Sequence, residues 1–208
     1  MAIKLAPDQD KKNKKYWQKT YNAANIQSEI LNQVRNLEAL ASGKLELKLE
    51  PVNFDEVVEK ALFLFKEKIN EKNLELVINN EAGSHKFLAE PVSFSTSVFN
   101  NLISNAIKFS HSEGKIEVTL EKKNDHYLEL KVQDHGIGMP EELKQNIFRS
   151  DKPTSRPGTS GEKGTGFGMP LVKSFVEQYQ GSISLESVEK DSDPRHCGTT
   201  FILKLKKA

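Results

Sequence analysis

From Pro91 to Phe109 the sequence reads as one long helix with two unlike faces. Val98, Phe99, Leu102, Ile103, Ala106 and Ile107 share one side. Asn101, Asn105 and Lys108, spaced i, i+4 and i+7, share the other. The apolar side requires a second layer to bury it, and this constrains the fold more than any other feature. The polar side has two readings. It is a solvated face, or it is a place for a metal ion and phosphates. Asparagine is a poor helix former, and Glu or Lys would serve a solvated face better. An Asn oxygen can ligate magnesium, which otherwise keeps waters and phosphate oxygens. Lys108 would be a point charge on a phosphate. On this helix alone both readings stay open.

The rest of the chain supplies the second layer. Alternation predicts strands at 45–49, Leu74–Ile78, Lys115–Leu120, Tyr127–Val132, 182–187 and 199–205, the third and fourth joined as a hairpin. Helices are predicted at 54–70, 141–148 and 171–179. Hairpins mixed with helices give an α+β fold, a two-layer sandwich of a mixed sheet packed on helices. A further helix over 16–42 precedes it. Ala23, Ile26, Ile30, Leu37 and Leu40 form its stripe, Val34 and Ala41 widen it, and Gly43 ends it. The stripe suits a dimer or bundle face, with Trp17 and Tyr21 as packing residues. The organisation expected is a polar, basic, disordered segment at 1–15, a partial dimerisation helix at 16–44 and a domain at 45–208.

Thirty basic and 29 acidic side chains leave a net charge of +1, so there is no electrostatic case for nucleic acid or an anionic membrane. Cys197 is the only cysteine, which excludes an internal disulfide and a cysteine metal cluster and fits a reducing, intracellular setting. No apolar run approaches the ~20 residues of a membrane span.

Two glycine turns carry further chemistry. DHGIGM at 134–139 follows a strand directly. It is a common Asp-initiated turn, or Asp134 accepts from a base amino group beside backbone that tolerates close approach. GTGFGM at 164–169 runs straight into a helix, whose first N–H groups are unpaired and at the positive end of the dipole. Such backbone can receive a phosphate. The third glycine of a dinucleotide fingerprint would fall on Met169, and no Walker pattern is present. Between the two turns, residues 149–163 form a long polar loop, of the kind that is functional or disordered.

The order of these pieces is informative: NLISNAIKFS, DHGIGMP, IF at 147–148, the polar loop, GTGFGMPLVKSFVEQYQGSISLES, then GTTFIL. In this order they resemble the ATP-binding catalytic domain of bacterial sensor histidine kinases, in the GHKL superfamily with its Bergerat ATP-binding fold. RNLEALASGKLELKLEPVNFDEVV resembles the end of that family's second dimerisation helix and its linker. The resemblance implies an Asn105 that ligates Mg2+ and an Asn101 and Lys108 that face the phosphates of ATP and act in catalysis. It implies an Asp134 that reads adenine, with Gly136 and Gly138 leaving room for the ring. Gly164, Thr165, Gly166, Phe167, Gly168 and Met169 would bring backbone to the phosphates. Residues 149–163 would be a lid, and Thr200 would lie near the adenine. The implied activity is transfer of the γ-phosphoryl group to a histidine and relay to a response regulator receiver domain. The full protein would be a homodimer through its helical region. Its setting would be cytoplasmic, free or as the cytoplasmic part of a membrane-anchored kinase, with no membrane contact by this fragment.

Some positions depart from the family pattern or separate its branches. ATP-hydrolysing members carry a Glu general base four residues before the magnesium Asn, where this chain has Asn101, so transfer is favoured over hydrolysis. The phosphoacceptor histidine belongs to a first dimerisation helix, whereas His85, His111, His126, His135 and His196 all fall in the catalytic region. The chain therefore reads as a fragment of a longer kinase. IFRSDKPTS lacks the family's second phenylalanine, and GFGM replaces the commoner GLGL. Of Arg149, Lys152, Arg156 and Lys163, one is expected at the γ-phosphate. His135 is expected at the pocket edge. Two rival readings are a nucleotide-binding pseudokinase scaffold and a GHKL ATPase.

Overall fold

The computed structural model describes residues 7–82, 86–152, 154–162, 164–190 and 197–208; within its first helix the side chains of residues 7–12, 18 and 22 are left aside. His85, Lys163 and His196 lie outside the described residues. Five strands form the main sheet: β2 (Glu75–Asn80), β4 (Lys115–Lys122), β5 (Tyr127–Asp134), β6 (Ser182–Val188) and β7 (Gly198–Lys206). Their order is β2-β4-β5-β7-β6, with β2 and β4 parallel and the other neighbours antiparallel. One face carries Val118, Leu130 and Leu203, all fully buried. On the other, Lys131 bridges Glu121 at 2.6 Å and Glu129 at 3.3 Å. One apolar and one solvated face is the pattern of a two-layer sandwich.

Three helices cover the apolar face: α2 (Phe54–Glu71), α4 (Asn100–Phe109) and α6 (Gly168–Gln178). Asn53 caps α2, accepting the Asp55 N–H at 2.9 Å. The predicted helix over 91–109 is continuous but has three parts. It opens with one turn, α3 (Pro91–Ser93), set by Pro91 and by the Glu90 carboxylate, which accepts the N–H groups of Val92 and Ser93. A π-helical stretch, Phe94–Phe99, follows and leads into α4. The wider turn keeps Phe94, Val98 and Phe99 all buried while Asn101 and Asn105 face away from the core. A short α5 (Glu141–Asn146) follows the second glycine of the Asp134 turn.

The structure corrects two expectations. No strand forms at 45–49. The strand is β1 (Glu50–Asn53), paired antiparallel with β3 (Lys86–Ala89). A ladder begins where a partner lies, and β3 meets the chain only from Glu50 onward. Pro51 is tolerated because in a two-stranded ribbon each strand is an edge. Leu47 and Leu49 pack on the core without a strand partner.

The first helix, α1, spans Pro7–Ala41, so residues 7–15 are helical where a disordered segment was expected. Between Pro7 and Gly43 there is neither Gly nor Pro to break it, and Pro is suited to a first helical position. Gly43, at φ +65°, ends it as expected. Leu40 is buried where α1 lies along α6. Trp17 is 75% and Tyr21 65% exposed, so within this chain they do not pack.

Candidate functional site

A cavity of about 470 Å³ opens between α4, α6, the end of β5 and the loop 154–166. Asn101, Asn105 and Lys108 line it from α4, Asp134 from β5, and Gly164, Thr165, Gly166, Gly168 and Met169 from the other side. The polar face of the helix is therefore a site wall. Both asparagines have their nitrogens committed. Asn101 Nδ2 donates to the Ser97 carbonyl at 2.6 Å, and Asn105 Nδ2 to Met169 Sδ at 3.2 Å. Each side chain keeps its oxygen for a ligand. The Asn101 oxygen lies at the start of α6, 2.6 Å from where a Cβ on Gly168 would stand. Among the described residues no side chain caps α6, so its first N–H groups remain open beside that oxygen.

Lys108 points across the cavity toward Gly164, its ammonium 2.6 Å from where a Cβ on that glycine would be. Burial holds its pKa below the ordinary lysine value. Among the described residues it makes no ion pair, which leaves a charge available to an anion. A lone Asn105 oxygen suits a magnesium ion that brings phosphate and water ligands with it. No cluster of three His, Cys, Asp or Glu side chains that could hold a metal occurs among the described residues.

At the other end of the cavity Asp134 is 4% exposed. Burial pushes its carboxyl up to about 7, against the opposing hydrogen bonds of the Gly136 and Thr199 N–H groups and the charge of Arg156. Gly136 N donates to Asp134 Oδ1 at 3.0 Å. Phe109 adds an aromatic wall. A buried acceptor beside a flat apolar surface is chemistry suited to an aromatic base with an amino group.

The glycines divide their work differently from the sequence expectation. Gly136 and Gly138 do not line the cavity. A Cβ on Gly136 would fall on the Phe109 carbonyl, and one on Gly138, at φ +62°, on the Val188 carbonyl. They allow backbone to close on backbone, and the base end of the site is shaped indirectly. Thr200 is also displaced from its expected role. It pairs with Gln133 on the outer face of the sheet, whereas Thr199 pairs with Asp134 and shares its buried face. Strand alternation decides this by one residue. Phe167 does not line the cavity either; its N–H donates to Thr165 Oγ1 at 3.3 Å.

Of the lid cations, Arg149 pairs outward with Asp151, and Arg156 alone among the described ones lines the cavity. Its guanidinium lies 4.5 Å over the Phe109 ring and donates to the Gly138 carbonyl at 2.6 Å; the Lys108 ammonium lies 4.8 Å over the same ring, and the two positive charges oppose each other. His135 bonds to Glu117 at 3.0 Å and is no part of the cavity lining. Sequence reasoning missed Phe109, Lys72 and two residues of α1. Glu29 lines the cavity, and buried Gln33 accepts the Thr165 hydroxyl at 2.6 Å. Gln33 stands between Ile30 and Leu37 at a position of the apolar 3–4 spacing, and a polar residue there was the available signal.

Residues 93–208, more than half of the chain, match the family described as histidine kinase-, DNA gyrase B-, and HSP90-like ATPase. The chain belongs to this family. Hybrid signal transduction histidine kinase D of Dictyostelium discoideum is 29% identical over 180 residues, covering 85% of this chain and 11% of that protein. The curated histidine kinases that it matches are much longer, and the chain spans between 11% and 32% of their lengths. Two solved structures share the fold. Full-length ShkA in complex with AMPPNP has a TM-score of 0.75 at 19% identity, over 99% of this chain and 41% of that one. Histidine kinase ThkA in complex with response regulator protein TrrA has a TM-score of 0.67 at 22% identity, over 99% and 53%. As a member of the family the chain places its helix α4, its Asp134 turn and its glycine loop within the matched region.

Proposed function

We propose that this chain is the ATP-binding catalytic part of a sensor histidine kinase, which binds Mg-ATP and passes the γ-phosphoryl group to a histidine for relay to a response regulator. One observation carries the reading. Side chains and backbone from three separate stretches, 101–108, 134 and 164–169, converge on one cavity that holds a buried carboxyl, an aromatic ring, a lysine and two asparagine side chains. Asp134 and Phe109 would hold the adenine. Lys108, the Asn101 oxygen and the open N–H groups of α6 would orient the phosphates, and Asn105 would hold Mg2+. Bound magnesium would neutralise phosphate charge. The chain's own contribution is positioning and charge stabilisation. Asn101 cannot take a proton from water, which supports transfer over hydrolysis.

The acceptor histidine would be supplied by a helical segment outside this sequence, since none of the five histidines lies on α1. The kinase AMPPNP complex supports the nucleotide, and the ThkA–TrrA complex supports the kind of partner. The exposed half of α1, with Trp17 and Tyr21, is where a homodimer would form. No helix among the described residues is long and apolar enough to cross a membrane, and a cytoplasmic setting fits the reading.

The test is calorimetric titration of ATP into this chain and its Asn105→Ala variant, with magnesium and with chelator. The wild type should bind more tightly in magnesium, and Asn105→Ala should lose at least tenfold there and far less in chelator. Equal weakening in both buffers would remove the metal role, and no binding to folded protein would remove the nucleotide site.

A further inference from the structure

Lys72 ends α2, and its side chain is 10% exposed. Its ammonium has three protons to donate and five oxygens within reach. The carbonyls of Ile107, Lys108 and Ser110 lie at 2.9, 3.2 and 3.4 Å. Thr159 Oγ1 lies at 2.8 Å and Glu162 Oε1 at 2.7 Å. The Ile107 and Lys108 carbonyls belong to the last turn of α4 and the Ser110 carbonyl to its C-cap, where acceptors lack partners within the helix and the helix dipole is negative. The other two oxygens belong to the loop over the cavity. Thr159 adds its own N–H to the Lys108 carbonyl at 3.0 Å. The Thr159 hydroxyl donates to the Ser110 carbonyl at 2.6 Å, so the enclosed cation and these bonds together fasten residues 159–162 to the end of the helix that carries Asn105 and Lys108.

The charges make this arrangement specific. Glu162 faces the negative end of α4, where a carboxylate is unfavourable without a counter-ion. It is also the foremost acidic charge acting on Lys108. Yet Glu162 is ion-paired with Lys72, and Lys108 makes no ion pair among the described residues.

We infer that Lys72 is a positioning residue for the phosphate end of the site: it anchors the loop on α4 and neutralises Glu162, so that Lys108 is kept for the phosphates. This rests on the nucleotide-site reading. Without Lys72, Glu162 would be left against helix carbonyls and would turn to Lys108, closing the phosphate end to an anion.

The test combines three variants of the whole chain, Lys72→Met, Lys72→Met/Glu162→Gln and Glu162→Gln, with two readouts. Hydrogen exchange at residues 158–162 is followed without nucleotide, and binding of Mg-ATP and of adenosine is titrated. Lys72→Met should speed exchange at least tenfold and weaken ATP at least tenfold, with adenosine changed less than threefold. Adding Glu162→Gln should restore most of the ATP affinity and leave exchange fast. Unchanged exchange overturns the anchor. A double variant that binds ATP as weakly as Lys72→Met, or equal losses for ATP and adenosine, overturns the charge role. Should Lys72→Met fail to fold by circular dichroism, Glu162→Gln alone must still speed exchange at 158–162, or the anchor is wrong. A wild type that binds no ATP would sink the nucleotide reading and the Lys108 role with it, while exchange would still judge the anchor.

Discussion

Asp134, proposed to read the base, is held in the fold at a cost to stability at neutral pH. Its carboxyl is 4% exposed and titrates near 7 in the fold, against an ordinary 3.8. The folded state therefore holds its proton more tightly than the unfolded chain does. The favourable contribution is complete below about pH 4 and is lost as pH rises through 7. The full swing is roughly 4 kcal/mol, at 1.36 kcal/mol per unit. Asp134→Asn should remove it. In urea unfolding, the stability of the variant relative to wild type should grow by a few kcal/mol between pH 4.5 and pH 8. A difference that stays constant with pH would show that Asp134 is solvated in the fold. The same change swaps an acceptor for a donor and should narrow a preference for ATP over GTP in competition binding. Asp134 was legible in the sequence because its clue is local: an acid at a strand end before two glycines. Lys72 was not, because its partners run from Ile107, 35 residues away, to the still more distant Thr159 and Glu162. Thr199 was missed in favour of Thr200 because a shift of one residue changes the face of a strand.

At the scale of elements, the helix from 91 to 109 is both scaffold and cavity wall, and its far end is tied down. Ser93 Oγ and the Tyr179 hydroxyl share a hydrogen bond of 2.7 Å, which ties α3 to the end of α6. Burial pushes the Tyr179 hydroxyl well above the ordinary phenol range, so it stays neutral. Tyr179→Phe should cost about 1–2 kcal/mol, the value of a buried neutral bond whose partner is left behind. Because the bond lies outside the cavity lining, ATP affinity should hold within twofold. If affinity falls in step with stability, the bond also aims the asparagines. The helices were readable because their periodic patterns run for many residues. The short ribbon β1–β3 was not. Four residues of KFLA carry too little pattern, and the clear alternation of LELKL has no partner strand to satisfy it.

At the scale of the whole molecule, the question is whether α1 is part of the folding unit. The sheet, α2, α4 and α6 close a continuous core that, among the described residues, takes only Leu40 and Leu37 from α1. This supports a division near residue 44, and the sequence marks it with Gly43. A chain of residues 45–208 should therefore fold cooperatively. Loss of Leu40 from its buried place should cost about 2–5 kcal/mol, the range for truncating a buried leucine. The same cut removes Gln33, which holds the Thr165 hydroxyl in the glycine loop. It also removes Glu29 from the cavity wall, where its charge acts on Lys108. These two losses oppose one another for a phosphate ligand. One frees the loop to wander, and the other lifts a repulsive charge. Glu29 is exposed, so water screens its repulsion, and the hydrogen bond of buried Gln33 to the glycine loop is the larger effect. The shortened chain should bind Mg-ATP more weakly than the full one, by a few-fold in calorimetry, and melt lower. Tighter binding would make α1 a restraint on the nucleotide site as well as a platform beside it. Weaker binding would show that the Gln33 contact with the glycine loop is the stronger term, and an unfolded 45–208 would place α1 inside the domain.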